Sequence, residues 1–423
     1  MWFFRSATGG RGQPRDERVR EPQYPPTQYT VLNSSVSTTR GATMRPTNTR
    51  KAGLIAAMTV CSLAIAACGN SSSGSRGSDE PQAAVDVSAA TAKVQELTAS
   101  PTPLGITVPI DKAIPSGLKV ILVNCVTSFC KPIGDQVETA GEALGWDVSI
   151  ITPSSGNAAA QQNAFKSALS QDPDMIMNYT YESTVLGDGY REAFDRGIPV
   201  VSGGVLDEPA APGQPGPLVN FSGPPGVQAQ GAAVAALVAE RTEGRADMLF
   251  VGLPAFPIID SLEKGMKSGL EEYCPDTCQV RERYDLPVES IGKNAAELIV
   301  NRLRASKDVD SVFLSASVMS LGMVNALKSA GLQDIKIFTA YAEETVLPDI
   351  KTGAIEGAAK SPGLENGWYF VDGAVRVAAG VDPAPSNSAV PNVLVTADNL
   401  GNPPVTTPIT DDFEAKFLEL WGK

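Results

Sequence analysis

The chain has 423 residues, of which 43% are hydrophobic and 19% charged, so it is long and apolar enough to form two hydrophobic cores. Its formal net charge is −13, and after residue 68 there are 44 Asp and Glu against 25 Lys and Arg, which argues against nucleic acid as a partner because that needs a clustered basic face. The sequence has no histidine, which excludes Ser-His-Asp and Cys-His catalysis, and we expect no catalytic residue, no metal site and no cofactor.

The first 68 residues have the composition of segments that lie outside a folded body. Residues 1–43 are rich in Arg, Pro, Gly, Ser and Thr and lack apolar periodicity, which predicts a disordered extension. In residues 44–68 a basic segment precedes the apolar run 54–67, and this order is typical of a secretory signal peptide. The apolar run is too short for a comfortable membrane span.

The segment Ile65-Ala66-Ala67-Cys68-Gly69 ends this signal-like region. It resembles the lipobox of bacterial lipoproteins, in which the cysteine is lipidated and becomes the N-terminus. The resemblance implies that Cys68 carries a lipid that anchors the protein to the cell membrane on the extracytoplasmic side. Residues 69–118 are predicted to be a linker that begins with a Ser/Gly tether and contains a short helix near 89–97.

From Lys119 onward, short β-branched runs alternate with amphipathic helical runs, which is typical of parallel sheets covered on both faces by helices. The predicted strands are 119–123, 147–151, 175–178, 198–202, 218–221, 246–251, 279–284, 311–315 and 336–340. The predicted helices are 133–144, 158–169, 190–196, 227–241, 258–273, 291–304 and 319–330. The Pro/Gly-rich segments 208–217 and 223–226 divide this series, so the sequence predicts two doubly wound lobes with a ligand cleft between them.

Four segments occur in an order that suggests a family: Ile121-Leu122-Val123, Gly145-Trp146-Asp147-Val148, Gly197-Ile198-Pro199-Val200-Val201 and Asp308-Val309-Asp310-Ser311-Val312-Phe313. Together they resemble the type I periplasmic binding proteins of the ribose-binding class, over about residues 119–395. The resemblance implies two lobes that are joined by a three-segment hinge and close on a ligand.

Carried onto this chain, the resemblance gives the boundaries of the two lobes. The first lobe would comprise residues 119–222 and 361–395, and the second lobe residues 223–360 and 396–423. The hinge segments would lie near Ser222, Ser361 and Thr396.

The family places ligand contacts just after the carboxyl ends of strands. The resemblance therefore implies as ligand-binding candidates Thr127, Phe129, Cys130, Tyr179, Tyr181, Gly204, Phe256, Asp260, Ser315, Ser317, Tyr341, Glu343 and Lys360. For the charged candidates other roles stay open, since Asp260 and Glu343 are also typical of helix starts and Lys360 of an ion-paired lysine.

Three positions depart from the pattern of the sugar binders in this class. Where those proteins have an Asp-Arg pair, an Asn-Asp pair and an Asp, this chain has Gly204-Val205, Ala316-Ser317 and Ala340. Because each hydroxyl of a buried sugar needs hydrogen-bond partners, we expect a ligand that is less hydroxylated than a common sugar: aromatic, heterocyclic or a modified carbohydrate.

Four cysteines follow Cys68, namely Cys125, Cys130, Cys274 and Cys278. An even number in an oxidising compartment favours disulfides, with three possible connectivities. The local pairs Cys125–Cys130 and Cys274–Cys278 are the simplest, because each closes a short turn. A zinc site is the competing interpretation, but the two pairs lack a tight Cys-x-x-Cys.

These features predict an extracytoplasmic solute-binding lipoprotein that delivers a small molecule to the permease of an ABC importer, and not an enzyme. The alternative is a sensory binding protein that presents its ligand to a membrane receptor. The effector domain of a transcription repressor shares the fold, but it would need a helix-turn-helix where the lipobox and tether stand.

Overall fold

The structure is a computed structural model that describes residues 84–99, 103–127, 130–360, 363–387, 390–401 and 408–423. The predicted extension, the signal peptide with Cys68, and two further residues of the predicted cleft and hinge, Phe129 and Ser361, lie outside the described residues. Within the described ranges, no helix is long and apolar enough to cross a bilayer.

The described residues form eleven strands and twelve α-helices. The strands are β1 (Lys119–Val123), β2 (Asp147–Ile151), β3 (Met175–Tyr179), β4 (Val200–Gly203), β5 (Val219–Phe221), β6 (Ala246–Gly252), β7 (Cys278–Asp285), β8 (Ser311–Leu314), β9 (Lys336–Ala340), β10 (Gly357–Lys360) and β11 (Val393–Val395). The helices are α1 (Ser88–Thr98), α2 (Lys131–Leu144), α3 (Ala158–Leu169), α4 (Ser183–Leu186), α5 (Gly189–Asp195), α6 (Pro224–Arg241), α7 (Ile259–Tyr273), α8 (Ala295–Ala305), α9 (Met323–Ala330), α10 (Leu347–Lys351), α11 (Glu365–Ala379) and α12 (Phe413–Leu420).

The strands build two sheets, one for each lobe. The first sheet has the order β2-β1-β3-β4-β5, and all its pairs are parallel. The second sheet has the order β11-β10-β9-β8-β6-β7, and all its pairs are parallel except the antiparallel pair β10–β11. The predicted fold of two doubly wound lobes is confirmed, and the nine predicted strands lie within two residues of their expected ends.

Helix α2 shows how local sequence sets these elements. Pro132 lies in the first turn, where backbone amides have no acceptor within the helix, so the absence of an amide hydrogen in proline costs no hydrogen bond there. The predicted apolar face with Ile133 and Val137 is buried against the first sheet. Gly145 ends the helix in the left-handed conformation, with φ of 71°, which glycine adopts at little cost. The start of this helix is thereby held beside the cleft described below.

Helices α6 and α7 pack backbone to backbone in the second lobe. A Cβ atom on Gly231 would meet the carbonyl oxygen of Leu262, and one on Gly265 would meet that of Gln228. The two glycines therefore allow a close approach that any larger residue would prevent. This packing fixes the first turn of α7, which faces the cleft.

The C-terminal part of the chain corrects the predicted lobe boundaries. Strand β11 was expected in the first lobe, but it pairs with β10 of the second sheet, where Ala358 lies opposite Val395. Helix α12 was expected in the second lobe, but Phe417 and Trp421 pack on Trp368 of α11 in the first-lobe core. The physical reasons are that β11 covers the edge of β10 and that the aromatic face of α12 complements the aromatic face of α11.

The predicted linker 69–118 is also corrected, because from residue 84 it belongs to the fold. The helix expected near 89–97 is confirmed as α1, and its Ala90 and Val94 are buried in the core of the second lobe. Residues 103–118 lie on the first lobe instead, where Ile106 and Ile110 are buried. This N-terminal strap, α1 with residues 103–118, thus joins both lobes.

Hydrogen bonds hold both ends of the strap. Asn399 Nδ2, next to β11, donates to the carbonyl oxygen of Thr98 at 3.2 Å. On the first lobe, Arg376 Nη2 donates to the carbonyl oxygen of Val108 at 2.7 Å, and the Ile110 amide donates to that of Leu420 at 2.9 Å. The described residues on either side of five points belong to different lobes, where three crossings were predicted: 99 and 103, 222 and 223, 360 and 363, 390 and 393, and 401 and 408.

We expect Val94→Asp to destabilise the protein, because it places a charge in the second-lobe core without a partner. A loss of about 2 kcal/mol or more in the free energy of unfolding is expected from urea denaturation. The control is Gln95→Asp, which introduces the same residue and charge at the adjacent exposed position. Equal effects of the two substitutions would show that α1 is not packed on the second lobe.

Candidate ligand-binding cleft

A cavity of about 640 Å³ lies between the two lobes. Its first-lobe wall consists of residues at the starts of α2 and α11 and at the ends of β3, β4 and β5. Its second-lobe wall consists of residues that follow β6, β8 and β9, and Lys360 at the end of β10 completes it beside a crossing segment. Because the strands on each wall run parallel, their carboxyl ends meet at one edge, where open α/β sheets bind ligands.

Four strands are followed directly by a cleft residue in the left-handed backbone conformation. These residues are Thr180 with φ of 73°, Gly204 with 66°, Ser222 with 52° and Tyr341 with 59°. For the three residues other than glycine this conformation is uncommon and costs roughly 1–3 kcal/mol each. Such strain is typical of functional sites, and here it turns the chain sharply at the edge of the cleft.

Aromatic and aliphatic side chains form most of the lining. The rings are Tyr179, Phe221, Phe256 and Tyr341. Phe221 is fixed from behind, since its ring stacks on that of Phe370 with 5.5 Å between centroids and 21° between planes. Burial raises the pKa of Tyr341 to about 12 and also raises that of Tyr179, so both phenols stay neutral at physiological pH.

Two leucines on the cleft are unusually exposed for large apolar residues. Leu321, which precedes α9 in the second lobe, has 46% of its surface exposed, and Leu364, which precedes α11 in the first lobe, has 39%. Large apolar residues that remain exposed in a concave surface are typical of binding sites. Each lobe thus presents an apolar side chain to the open cleft.

Two ionisable groups of the cleft are largely removed from water. Glu343 accepts a hydrogen bond from Ser317 Oγ at 3.1 Å, and burial raises the pKa of its carboxyl group. Lys360 is 5% exposed, and burial lowers the pKa of its ammonium group to about 8, although the nearby Glu365 acts in the opposite direction. Both shifts show that desolvation outweighs the local stabilising partners.

Two hydroxyl groups on the cleft have no hydrogen-bond partner among the described residues. Ser315, directly after β8, is fully buried, and its Oγ is unsatisfied. The Oγ1 of Thr180, directly after β3, is buried and unsatisfied as well. A buried hydroxyl without a partner costs about 1–3 kcal/mol, so these two residues add to the strain that the chain holds at the edge of the cleft.

Seven of the thirteen predicted ligand-binding residues line this cavity: Tyr179, Gly204, Phe256, Ser315, Tyr341, Glu343 and Lys360. Ser317 supports the site indirectly, through its hydrogen bond to Glu343. Thr127 and Cys130 belong to the loop after β1 and are not among the lining residues.

Two predicted contacts lie elsewhere. Tyr181 is 4% exposed and belongs to the first-lobe core, where its Oη donates to the carbonyl oxygen of Asn124 at 2.9 Å. Asp260 forms an ion pair with Arg283 at 2.7 Å, outside the lining. Tyr181 was misplaced because Thr180 turns left-handed, which sends the next side chain back into the lobe.

Both local disulfides are present, Cys125–Cys130 and Cys274–Cys278, with Cα–Cα distances of 5.8 and 5.4 Å. The first bridge closes the loop between β1 and α2. Asn124 Nδ2 also donates to the carbonyl oxygen of Cys130 at 3.0 Å. Together these contacts fix the start of α2, whose Pro132 and Ile133 line the cleft.

A pair of carboxylates holds the loops that follow β3 and β4 together. Glu182 accepts from the Leu206 amide at 3.0 and 2.9 Å, and Asp207 accepts from the Ser183 amide at 2.7 Å. Burial raises the pKa of Glu182 to about 7, reinforced by the negative charge of Asp207 and opposed by the amide hydrogen bonds. Because Thr180 and Gly204 begin these two loops, the pair positions part of the first-lobe wall.

Sequence reasoning missed several lining residues, among them Phe221, Ser222 and Val227 at the β5–α6 connection and Leu321 and Leu364. The rule that ligand contacts follow the carboxyl ends of strands could have indicated Phe221, Ser222 and Val227, because the predicted strand 218–221 ends there. The two leucines had no such signal, since neither follows a strand directly.

A family model described as a periplasmic binding protein domain matches residues 110–382. A comparison with curated protein sequences gives no significant match. Several solved structures are similar in fold. One is an ABC transporter solute-binding protein from Bacillus halodurans with bound myo-inositol, at 20% identity and a TM-score of 0.56, covering 71% of this chain and 99% of the other.

Two further similar structures are also solute-binding proteins of ABC transporters. The protein from Burkholderia graminis, in complex with D-arabinose, has 17% identity and a TM-score of 0.58, covering 70% of this chain and 100% of its own. The protein from Agrobacterium vitis, bound with α-D-tagatopyranose, has 21% identity and a TM-score of 0.58, covering 72% and 99%. At these identities the likeness shows the shared two-lobed fold.

The displaced pKa of Glu182 predicts a pH dependence of stability. The Glu182 carboxyl group has a pKa of about 7 in the native state, against an ordinary value of 4.5 that applies to the unfolded chain. Between these two pH values only the native state holds the proton, so stability falls as pH rises through this window. We expect Glu182→Gln to remove up to about 3 kcal/mol of this fall. The measurement is urea unfolding at pH 5 and pH 8, with Glu142→Gln at an exposed site as the control. An unchanged pH difference in Glu182→Gln would contradict the assignment.

Proposed function

This chain belongs to the periplasmic binding protein family, and on that premise we propose that it is an extracytoplasmic solute-binding lipoprotein that captures a small molecule and delivers it to the permease of an ABC importer. In this proposal the protein binds its solute and does not transform it. The lipid at Cys68 holds the protein at the membrane, and the residues that follow act as the tether.

The observation that carries the proposal is that both lobes and a crossing segment contribute to one cavity. A solute in that cavity contacts the ends of β3, β4 and β5 on one side and of β6, β8 and β9 on the other. Bending at the crossing segments would bring the two walls together, and the closed form would present a surface that the open form lacks. A permease can distinguish loaded from empty protein by that difference.

The similar structures support a small solute as the ligand. The ligands printed for three of them are myo-inositol, D-arabinose and α-D-tagatopyranose. A cavity of about 640 Å³ is of the size that encloses such molecules, since pockets for small ligands commonly measure roughly 300–1,000 Å³.

Filling the cavity should abolish solute binding without unfolding the protein. Ala316 is half-buried on the second-lobe wall, so Ala316→Trp places an indole in the cavity. In a thermal-shift screen, a solute at 100-fold its dissociation constant stabilises the wild type by about 2.7 kcal/mol, and we expect no shift in Ala316→Trp. Ala159→Trp on the exposed face of α3 is the matched control. Equal shifts in all three proteins would place the binding site outside the cleft.

Membrane attachment has its own test. Cys68→Ser removes the proposed lipidation site, so the protein should move from the membrane fraction to the soluble extracytoplasmic fraction. Cys61→Ser changes the other cysteine of the same signal-like region and should leave the protein in the membrane fraction. Retention of Cys68→Ser in the membrane fraction would refute lipid anchoring at this residue while leaving solute binding untouched.

A further inference from the structure

We infer that the solute is an organic cation, whose ammonium group pairs with the Glu343 carboxylate and packs against the aromatic rings of the cleft. This inference rests on the proposed solute-binding function and adds the chemical class of the ligand. It follows from the charged groups of the lining, from the partners of those groups and from the position of the rings.

Carboxylates outnumber basic groups on the cleft. The charged residues of the lining are Glu343, Glu344 and Lys360, which makes two carboxylates against one ammonium group. A third carboxylate, Glu365 at the start of α11, is fully buried and acts on the ammonium group of Lys360. Besides the two tyrosines, the other polar residues of the lining are Thr180, Ser222, Ser315, Thr345 and Asn366. These neutral groups do not select the sign of a solute's charge, so the balance of the charged groups favours a cation.

The charges of Glu343 and Lys360 act on different partners. Burial lowers the pKa of Lys360 and Glu365 opposes this, whereas burial raises the pKa of Glu343 and the hydrogen bond from Ser317 opposes that. Among the described residues, no basic side chain forms an ion pair with Glu343 or Glu344. A partly buried carboxylate that has only a neutral partner is stabilised when a ligand supplies the cation. Glu343 therefore selects a positively charged solute.

Aromatic rings from both lobes line the cleft beside this carboxylate. Tyr341 and Glu343 belong to one turn, in which the Glu343 amide donates to the Tyr341 carbonyl oxygen at 2.8 Å. Tyr179 belongs to the opposite wall, close enough to Tyr341 that this second phenol raises its pKa. Both rings are half-buried, and the face of a neutral aromatic ring attracts an ammonium group. A cation that pairs with Glu343 can thus contact rings of both lobes.

Glu343→Gln removes the charge with little change in the shape of the cleft. The amide oxygen of the new side chain can still accept the hydrogen bond from Ser317 Oγ, so the variant should fold. Glu142→Gln is the matched control. It removes the same charge from an exposed position of α2 that is outside the lining.

The experiment starts with a thermal-shift screen of organic cations, neutral solutes and organic acids. It continues with calorimetric affinities for two sets of compounds of similar shape and different charge. One set is choline, 3,3-dimethyl-1-butanol and 3,3-dimethylbutanoate, and the other is benzylamine, benzyl alcohol and benzoate. We expect the cation of each set to bind about tenfold or more tightly than the neutral compound, and the anion to bind least tightly. Glu343→Gln should reduce this preference to about threefold, and Glu142→Gln should leave it unchanged.

The possible failures can be told apart. If the tightest ligand in the screen is neutral or anionic, or if Glu343→Gln and Glu142→Gln change the preference equally, the inferred ligand class is wrong and the solute-binding function stands. If no compound of the screen binds in a manner that Ala316→Trp abolishes, the proposed function fails and the ligand class fails with it.

Discussion

The chemistry of the cleft depends on hydrogen bonds that extend each parallel ladder one residue beyond the end of a strand. The Thr180 amide donates to the carbonyl oxygen of Gly203 at 2.8 Å, and the Gly204 amide donates to that of Phe221 at 2.8 Å. In the second lobe the Ser315 amide donates to the carbonyl oxygen of Val251 at 3.1 Å. These bonds hold the first residue after a strand against the neighbouring strand, so they offset the strain of left-handed backbone and fix the direction of the cleft side chains.

The connections between the lobes determine how those side chains can move. The N-terminal strap and the segment before α12 add two crossings to the three that the resemblance implied. On one side of each added crossing the chain is buried in the core of the second lobe, and on the other side it is buried in the core of the first lobe. Every such crossing ties one lobe to the other by the covalent chain, so additional crossings limit how far the lobes can move relative to each other. The cleft residues of the two walls therefore approach one another along a restricted path.

The sequence was sufficient for the elements that bury continuous apolar runs. Strand β1 is one such run, and the spacing of Ile133 and Val137 indicated the buried face of α2. The pairing of β11 with β10 could not be predicted from three residues, because an antiparallel edge strand carries no period of its own. Likewise Ser222 and Tyr341 give no local signal for a left-handed backbone, since tertiary contacts impose that conformation on residue types that rarely adopt it.

The composition of the cleft separates two contributions to binding. The apolar wall with Phe256 and Leu321 contributes affinity in proportion to the area that a solute buries, without demanding a fixed orientation. Polar lining groups such as Ser222 and Glu343 are directional, because a hydrogen bond weakens steeply away from its preferred geometry. Affinity can therefore come mainly from the apolar wall, while the orientation of the solute depends on the polar groups.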